Sequence, residues 1–238
     1  LVVLVSSNRG LCGSYNANLF KSVQQIVEDA DLIAPNRNSE GKEERSSVLP
    51  NISIVGVGKK SALFAKKNGF ELEAVYDDMS EQPSFEDILP IAQQAVSGYK
   101  NKKYDRVVVA FTHFESALKQ TVKVRQVLPI SEKDLARMVE ASEEIETEED
   151  FPIESYLFEP NMDAIVDYVF PKLVEIQLYQ AATDAAASEH SSRMIAMKNA
   201  SENAADMVKS LTLAYNKARQ AAITQEISEI VGGAAALE

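Results

Sequence analysis

The chain has 238 residues, of which 45% are apolar, with a formal net charge of −12 and a single cysteine, Cys12. This acidic balance argues against a nucleic-acid-binding protein, because phosphate binding needs clustered lysine and arginine, and one cysteine permits no internal disulfide. No apolar run approaches the roughly 20 residues that a membrane-spanning helix requires, so we expect no transmembrane segment within these residues.

The first part of the chain alternates predicted strands with predicted helices. Leu1–Val5 is short, apolar and rich in β-branched residues, which predicts a buried parallel strand. The predicted elements that follow are a helix over 14–30, a strand over 52–57, a helix over 59–67 ended by Gly69, a strand over 72–76, a helix from Ser84 to about 101, and a strand over 106–112. This alternation indicates an α/β, Rossmann-like domain with a mostly parallel sheet.

The segments between this region and the C-terminal third are more polar. Residues 120–129 alternate valine with polar residues, which predicts an antiparallel edge strand. Residues 34–48 have no periodicity and residues 140–151 are crowded with like charges, so we expect a mobile loop and a solvated loop. Residues 155–158 are a last strand candidate. We therefore expect an α/β base domain over residues 1–160 and a long helix over residues 161–238.

The C-terminal third predicts one long helix, because no proline follows Pro171 and no glycine precedes Gly232. Such a helix would be on the order of 100 Å long. Asn161 is expected to cap a short approach helix. Pro171 either starts a fresh helix, the interpretation we prefer, or kinks a continuous one. An apolar stripe recurs at spacings of three and four residues, which predicts a coiled coil with a second helix; it consists of Ile195, Met207, Val208, Leu211, Tyr215, Ala218, Ala222, Ile223, Ile227, Ile230 and Val231.

Two glycine-containing turns could bind phosphate. Residues 9–13 lie between a strand and a helix, where α/β proteins often bind phosphate groups, but they lack the third glycine of the dinucleotide motif. The alternative is a tight turn that needs glycine for a positive φ angle. Residues 56–61 resemble a phosphate-binding loop, yet Ser53 replaces its first glycine and Lys60 its serine or threonine.

Few residues are candidates for catalysis or metal binding. Cys12 is either a reactive thiol at a helix start or a small buried side chain. His113 follows a strand end, a frequent place for a catalytic residue, but the sequence predicts no nucleophile or second base near it. His190, beside Glu189 and Arg193, is more typical of a polar helix face than of a metal site. We expect no catalytic residue, metal or cofactor.

Separated segments of the chain resemble the gamma subunit of F-type ATP synthases. These segments are 7–13 (SNRGLCG) with Asn16, 188–197 (SEHSSRMIAM) with Asn203 and Ala204, and 215–220 with 223–238. The resemblance covers essentially the whole chain. It implies a central-stalk rotor shaft: a long antiparallel coiled coil inside a hexamer of alternating alpha and beta subunits, with an α/β domain at its base. Such a subunit has no catalytic site of its own and couples proton-driven ring rotation to ATP synthesis.

The resemblance also implies partners, a location and contact residues. The partners are the alpha, beta and epsilon subunits and the membrane c-ring, and the location is the cytoplasmic face of the bacterial inner membrane, peripheral to the bilayer. Contacts with the catalytic ring are implied for Arg193, Arg219, Gln220, Thr224, Glu226 and Glu229. Contacts with epsilon and the rotor ring are implied for Tyr156 and Glu159, and Arg9, Gly10 and Gly13 match a structural turn.

The chain departs from the family pattern in two places. In the family an N-terminal helix of several dozen residues precedes the first strand and forms the other half of the coiled coil, whereas this sequence starts at that strand. We therefore expect the stripe to be exposed, to fray, or to pair with another copy. The segment 34–48 is also longer than expected. Two other functions stay open: a small nucleotide-binding α/β enzyme with a dimerising helical tail, and a coiled-coil scaffold unrelated to ATP synthesis.

Overall fold

A computed structural model describes residues 1–28, 36–37, 43–44, 51–79, 82–130 and 161–235. Contacts divide the chain into two compact units, Leu1–Arg193 and Met194–Glu238. The first unit thus holds the sheet and the beginning of the C-terminal helix. The expected domain boundary after residue 160 lies at the edge of an undescribed stretch and stays a prediction.

The first unit contains a mixed sheet with the order β5-β4-β1-β6-β7. Its strands are β1 (Val2–Val5), β4 (Ser53–Val57), β5 (Glu71–Tyr76), β6 (Val107–Phe114) and β7 (Gln120–Leu128). β7 alone runs antiparallel to its neighbour, and the pairings of β1 with β4, β1 with β6 and β4 with β5 are parallel. This confirms the predicted α/β class, the mostly parallel sheet and the antiparallel edge strand.

Four helices complete the described residues: α1 (Tyr15–Glu28), α2 (Lys59–Asn68), α3 (Phe85–Lys100) and α4 (Met162–Ala235). Their ends agree with the sequence signals. The Ser84 side chain accepts from the Asp87 N–H in a capping box, and Gly69 closes α2 in the left-handed conformation with φ 72°. Asn161 caps α4, its Oδ1 accepting from the Ala164 N–H at 2.8 Å.

The two faces of the sheet bury two separate cores. Along β1, Val3 and Val5 join one core and Val2 and Leu4 the other, because successive side chains of a strand point to opposite faces. The first core contains residues of α3 and α4 (Ile88, Ile91, Val174, Leu178, Ala181, Ala182, Ala185), and the second contains residues of α1 and α2 (Leu19, Val23, Phe64, Ala65). A strand covered by helices on both sides explains the continuous apolar run at the start of the sequence.

The expected fresh start at Pro171 is wrong, since α4 continues through it from Met162 to Ala235. Proline inside a helix removes a backbone hydrogen bond and costs about 3 kcal/mol. Tertiary packing offsets this cost: Val174 is fully buried in the first core, and Lys172 forms an ion pair with Glu175 at 2.7 Å. The local preference for a break is therefore overcome by burial of the turn that follows the proline.

The segment 34–48, which we expected to be a mobile loop, contains two short strands at its described residues. β2 (Asn36–Arg37) and β3 (Glu43–Glu44) pair antiparallel. A ladder this short rests on backbone hydrogen bonds and leaves no periodic apolar pattern for the sequence to reveal. The rest of 34–48, the acidic segment 140–151 and the strand candidate 155–158 lie outside the described residues.

Among the helices described, none combines the length and apolar character needed to cross a bilayer.

Candidate functional site

The helix of the second unit exposes the predicted apolar stripe. Its large apolar side chains are about half to three-quarters exposed; they are Met207, Val208, Leu211, Tyr215, Ile223, Ile227, Ile230 and Val231. Soluble proteins rarely expose contiguous apolar surface of this kind unless it binds something. The stripe is therefore a candidate binding surface for another helix.

The residues that the resemblance assigns to the catalytic ring follow the same helix. Arg219, Gln220, Thr224, Glu226 and Glu229 are all exposed. Their described hydrogen bonds run along the helix: Thr224 Oγ1 donates to the Gln220 carbonyl at 2.8 Å, and Gln225 Nε2 donates to Glu229 Oε1 at 2.9 Å. These side chains thus present polar groups at the surface of the helix.

Arg193 differs from the other implied ring residues because it lies in the first unit. Its guanidinium pairs with Glu189 one turn earlier, and its Nε is 3.5 Å from the carbonyl oxygen of Gly10. The structure therefore brings together Arg193 and the turn residue Gly10, two positions that the sequence assigned to separate motifs.

A row of polar contacts joins α4 to the rest of the first unit just before Arg193. Ser188 Oγ donates to the Thr112 carbonyl at 3.0 Å, and Ser191 Oγ donates to the Ala117 carbonyl at 3.1 Å. We name these contacts the polar seam; its members on α4 are Asp184, Ala185, Ser188, Ser191, Ser192 and Arg193, and their partners are His113, Tyr15, Thr112, Ala117, Gln120 and Gly10.

The shortest contact of the seam pairs His113 with Asp184. His113 Nδ1 lies 2.6 Å from Asp184 Oδ2, and the side chains are 30% and 34% exposed. The sequence predicts no nucleophile or second base near His113. The available signal was a lone acid within the alanine-rich stretch 181–187, because an isolated charge on a buried helix face needs a partner.

Tyr15 completes the seam from the side of α1. Its phenol donates to the Ala185 carbonyl at 3.3 Å, and the side chain is 4% exposed. Burial, and then the nearby charge of Glu189, raises the pKa of the Tyr15 phenol far above its ordinary value. The group therefore remains a protonated hydrogen-bond donor at any physiological pH.

The start of α2, which follows β4, is the kind of position where α/β proteins often bind phosphate. The backbone N–H groups that begin α2 are already bonded within the protein: Lys59 to Asn8 Oδ1 at 3.0 Å, Lys60 to the Ser7 carbonyl at 3.2 Å and Ser61 to Ser6 Oγ at 2.7 Å. An anion at this helix start would have to displace them. The phosphate-loop resemblance of residues 56–61 thus reflects a self-capped turn.

A cavity of about 430 Å³ opens beside this turn. Its lining carries charges of both signs, with Arg9 and Lys59 against Asp77 and Glu189. Because two acidic side chains lie among the cations, the cavity does not have the uniformly cationic lining that a nucleotide phosphate favours. The backbone donors at the start of α2 also point to acceptors of the protein itself.

The turn over residues 9–13 contains two residues in the left-handed conformation and a buried cysteine. Gly13 has φ 59°, a value that favours glycine, whereas the other left-handed residue is Leu11 with φ 64°. The positive φ expected of glycine thus holds at Gly13 and not at Gly10. Cys12 is 2% exposed and its Sγ accepts from Asn16 Nδ2 at 3.3 Å, which fits the buried structural role.

Tyr156 and Glu159 lie outside the described residues. Over the ranges that the structure covers, no group of three or more histidine, cysteine, aspartate or glutamate side chains has the arrangement of a metal site.

Comparisons with known proteins agree on one family. The sequence model of the family described as "ATP synthase" matches residues 1–237. The ATP synthase gamma chain of Macrococcus caseolyticus is 39% identical over 236 residues, covering 99% of this chain and 73% of that protein. The gamma chain of Staphylococcus saprophyticus is 37% identical with the same coverage.

Solved structures share the fold. A chain of the Euglena gracilis mitochondrial ATP synthase, in a structure of OSCP, F1 and c-ring, matches with a TM-score of 0.64 and 21% identity over 99% of this chain and 72% of that one. A chain of the Tetrahymena thermophila central stalk and c-ring matches with a TM-score of 0.55 and 24% identity, covering 84% of this chain and 75% of that one. The sheet, the long helix and the sequence relatives lead to one conclusion: this chain belongs to the ATP synthase gamma chain family.

Proposed function

We propose that this chain is the central-stalk rotor shaft of an F-type proton-translocating ATP synthase. In this role α4 is one half of an antiparallel coiled coil that turns inside the ring of alpha and beta subunits. The α/β unit is the base, which binds the epsilon subunit and the membrane c-ring. The solved structures with this fold are ATP synthase structures, one of them of a central stalk with its c-ring, and the relatives are named gamma chains.

The observation that carries the proposal is the exposed stripe on α4. Leu211 is 62% exposed and Tyr215 is 65% exposed. The relatives of this chain are named as gamma chains of ATP synthases. Burial of the exposed part of a leucine is worth about 1–2 kcal/mol. A row of such residues therefore supplies enough free energy to hold a second helix.

The catalytic role of the subunit is indirect. The shaft makes different contacts with each beta subunit as it turns, and differential contacts are what shift a partner between conformations. Arg193, Arg219, Gln220, Thr224, Glu226 and Glu229 are the proposed ring contacts, and Tyr156 and Glu159 the proposed base contacts. The subunit has no catalytic site of its own and acts at the cytoplasmic face of the bacterial inner membrane.

The nucleotide-binding alternative is not favoured. Its phosphate site would be the start of α2, whose backbone donors bond to Ser6, Ser7 and Asn8. Titration calorimetry with ATP on the purified chain is expected to give no binding at micromolar concentrations. Micromolar affinity would contradict the rotor proposal and favour the enzyme.

The direct test is assembly. The full-length gene that encodes this chain is expressed with its alpha, beta and epsilon subunits, and the yield of complex with ATP-driven rotation is measured. Leu211→Asp places a charge on the stripe and is expected to lower the yield at least tenfold, because an unpaired carboxylate resists burial between helices.

Leu213→Asp is the matched control for this test. Leu213 is 58% exposed and lies about 200° around the helix from Leu211, off the stripe. We expect its complex to assemble at near-normal yield. Equal yields for the two variants, or an unaltered chain that does not co-purify with alpha and beta, would contradict the proposal.

A further inference from the structure

Along α4, the larger core residues Val174 and Leu178 are followed by alanine in the turn that leads into the polar seam. Ala181, Ala182 and Ala185 are each 1–2% exposed in the core shared with β1 and β6. Methyl groups allow the helix to approach the sheet closely, but they interlock little with their neighbours. Packing of this kind holds the helix against the sheet more firmly than it resists rotation of the helix about its own axis.

The polar seam resists rotation of α4 about its own axis, which alanine packing opposes only weakly. It occupies residues 184–193, the last stretch of α4 inside the first unit, which ends at Arg193. At about 100° per residue, the seam positions from Ser191 round to Arg193 span about 200° of the helix circumference. Contacts spread this widely cannot all be kept when the helix turns in either direction.

The partners of the seam come from several parts of the unit. His113 and Thr112 belong to β6, Ala117 and Gln120 to the β6–β7 connection and the start of β7, and Tyr15 to α1. Ser188 is fully buried, and its hydroxyl reaches a backbone carbonyl instead of water. A rotation of α4 would therefore leave several polar groups unpaired at once, which folded proteins avoid.

We propose that the polar seam is the torque clamp of this subunit, the contact that fixes the rotational setting of α4 on the α/β unit. This inference rests on the proposed function, because a clamp matters only if load passes from the base to the shaft. Asp184, Ser188 and Ser191 are its positioning residues on α4, and His113 is the anchor on β6. The apolar stripe takes no part, and of the proposed ring contacts only Arg193 belongs to the seam.

The test measures torsional stiffness in the assembled complex with the full-length chain. The catalytic head is fixed to a surface, a bead is attached to the α/β unit, and the variance of the bead angle is recorded in the stalled state. Asp184→Ala/Ser188→Ala/Ser191→Ala removes the seam groups while keeping good helix formers. The variance is expected to rise at least twofold, and proton pumping per ATP hydrolysed is expected to fall.

The matched control makes the same kinds of change elsewhere on α4. Ser201→Ala/Glu202→Ala/Ser210→Ala alters exposed residues, of which Glu202 pairs with Lys198 and Ser210 bonds to the Met207 carbonyl within the helix. Its variance and pumping are expected to match the unaltered complex. Equal variance in the two triple variants overturns the inference.

A second pair of variants decides the question if the seam variant does not assemble. His113→Asn keeps a nitrogen donor near the position of Nδ1 and is expected to retain the native stiffness, whereas His113→Ala loses the donor and is expected to raise the variance. An unchanged variance in His113→Ala overturns the clamp. A complex of the unaltered chain that shows no ATP-driven rotation of the bead refutes the proposed function itself.

Discussion

Replacement of Ser6 by alanine tests how the start of α2 is held. Ser6 is 7% exposed, and its Oγ accepts the N–H of Ser61, a residue that is fully buried, at 2.7 Å. The same hydroxyl donates to the Val57 carbonyl at 3.1 Å. That carbonyl keeps a partner in the variant, because it also accepts the Ser6 backbone N–H at 2.9 Å.

The cost of the substitution is therefore dominated by one group. Without Ser6 Oγ, the Ser61 N–H is buried with no acceptor, which costs about 1–3 kcal/mol. The loss of an oxygen atom leaves little empty volume. We expect Ser6→Ala to lower the free energy of unfolding of the first unit by about 2 kcal/mol.

Hydrogen exchange measures this free energy without assuming that the whole chain unfolds together. The amide protons of Val3 and Val55, in β1 and β4, report the opening of the sheet. Ser97→Ala is the control, since Ser97 is exposed on α3 and its Oγ donates to the Gln94 carbonyl of the same helix. A change below about 0.5 kcal/mol for Ser6→Ala, similar to that of Ser97→Ala, would refute the reasoning.

Other substitutions test neighbouring parts of the unit. Gly58→Ala is expected to destabilise it by about 3 kcal/mol or more, measured by urea unfolding, because φ is +88° and the added Cβ would lie 2.3 Å from a backbone carbonyl oxygen. Tyr15→Phe is expected to lower the free energy of unfolding by about 1 kcal/mol at neutral pH. Because the pKa of Tyr15 is raised in the folded protein, the stability that its phenol contributes is lost as pH rises above the ordinary value of about 10. The variant should therefore lose less stability than the unaltered protein over that alkaline range. The Lys103 ammonium, 2.6 Å from Glu73, lowers the pKa of that carboxyl. Its contribution is therefore present above about pH 4.5 and lost as pH falls through the lowered pKa, so the acid side of the stability profile should flatten in Glu73→Gln.

The fold was predictable because its signals are local. Alternating apolar residues, the Ser84 capping box and the Gly69 turn each need only a few neighbouring residues. The predicted strands and helices of the α/β sheet, up to β7, therefore lie within a few residues of their observed bounds. The break at Pro171 was mispredicted for the same reason: the rule is local, whereas the packing that overcomes it involves Val174 and the distant core.

The polar seam could not be predicted from local signals. His113 and Asp184 are 71 residues apart, and Tyr15 is 170 residues from Ala185. A lone acid among alanines indicates that a partner exists, but only the topology of the sheet identifies it. The self-capping of α2 has the same origin, since Ser6 lies 55 residues before Ser61 and joins it only because β1 and β4 are neighbours.

The buried alanines of α4 also limit which substitutions this part of the helix tolerates. A larger side chain at Ala181, Ala182 or Ala185 would push the helix off the sheet and cost about 1–3 kcal/mol, and glycine would weaken the helix by about 1 kcal/mol. A shift of even a fraction of a helix radius there would change the bonding distances at residues 184–193. We therefore expect substitutions on the exposed surface of α4 to be tolerated far more readily than substitutions at Ala181, Ala182 and Ala185.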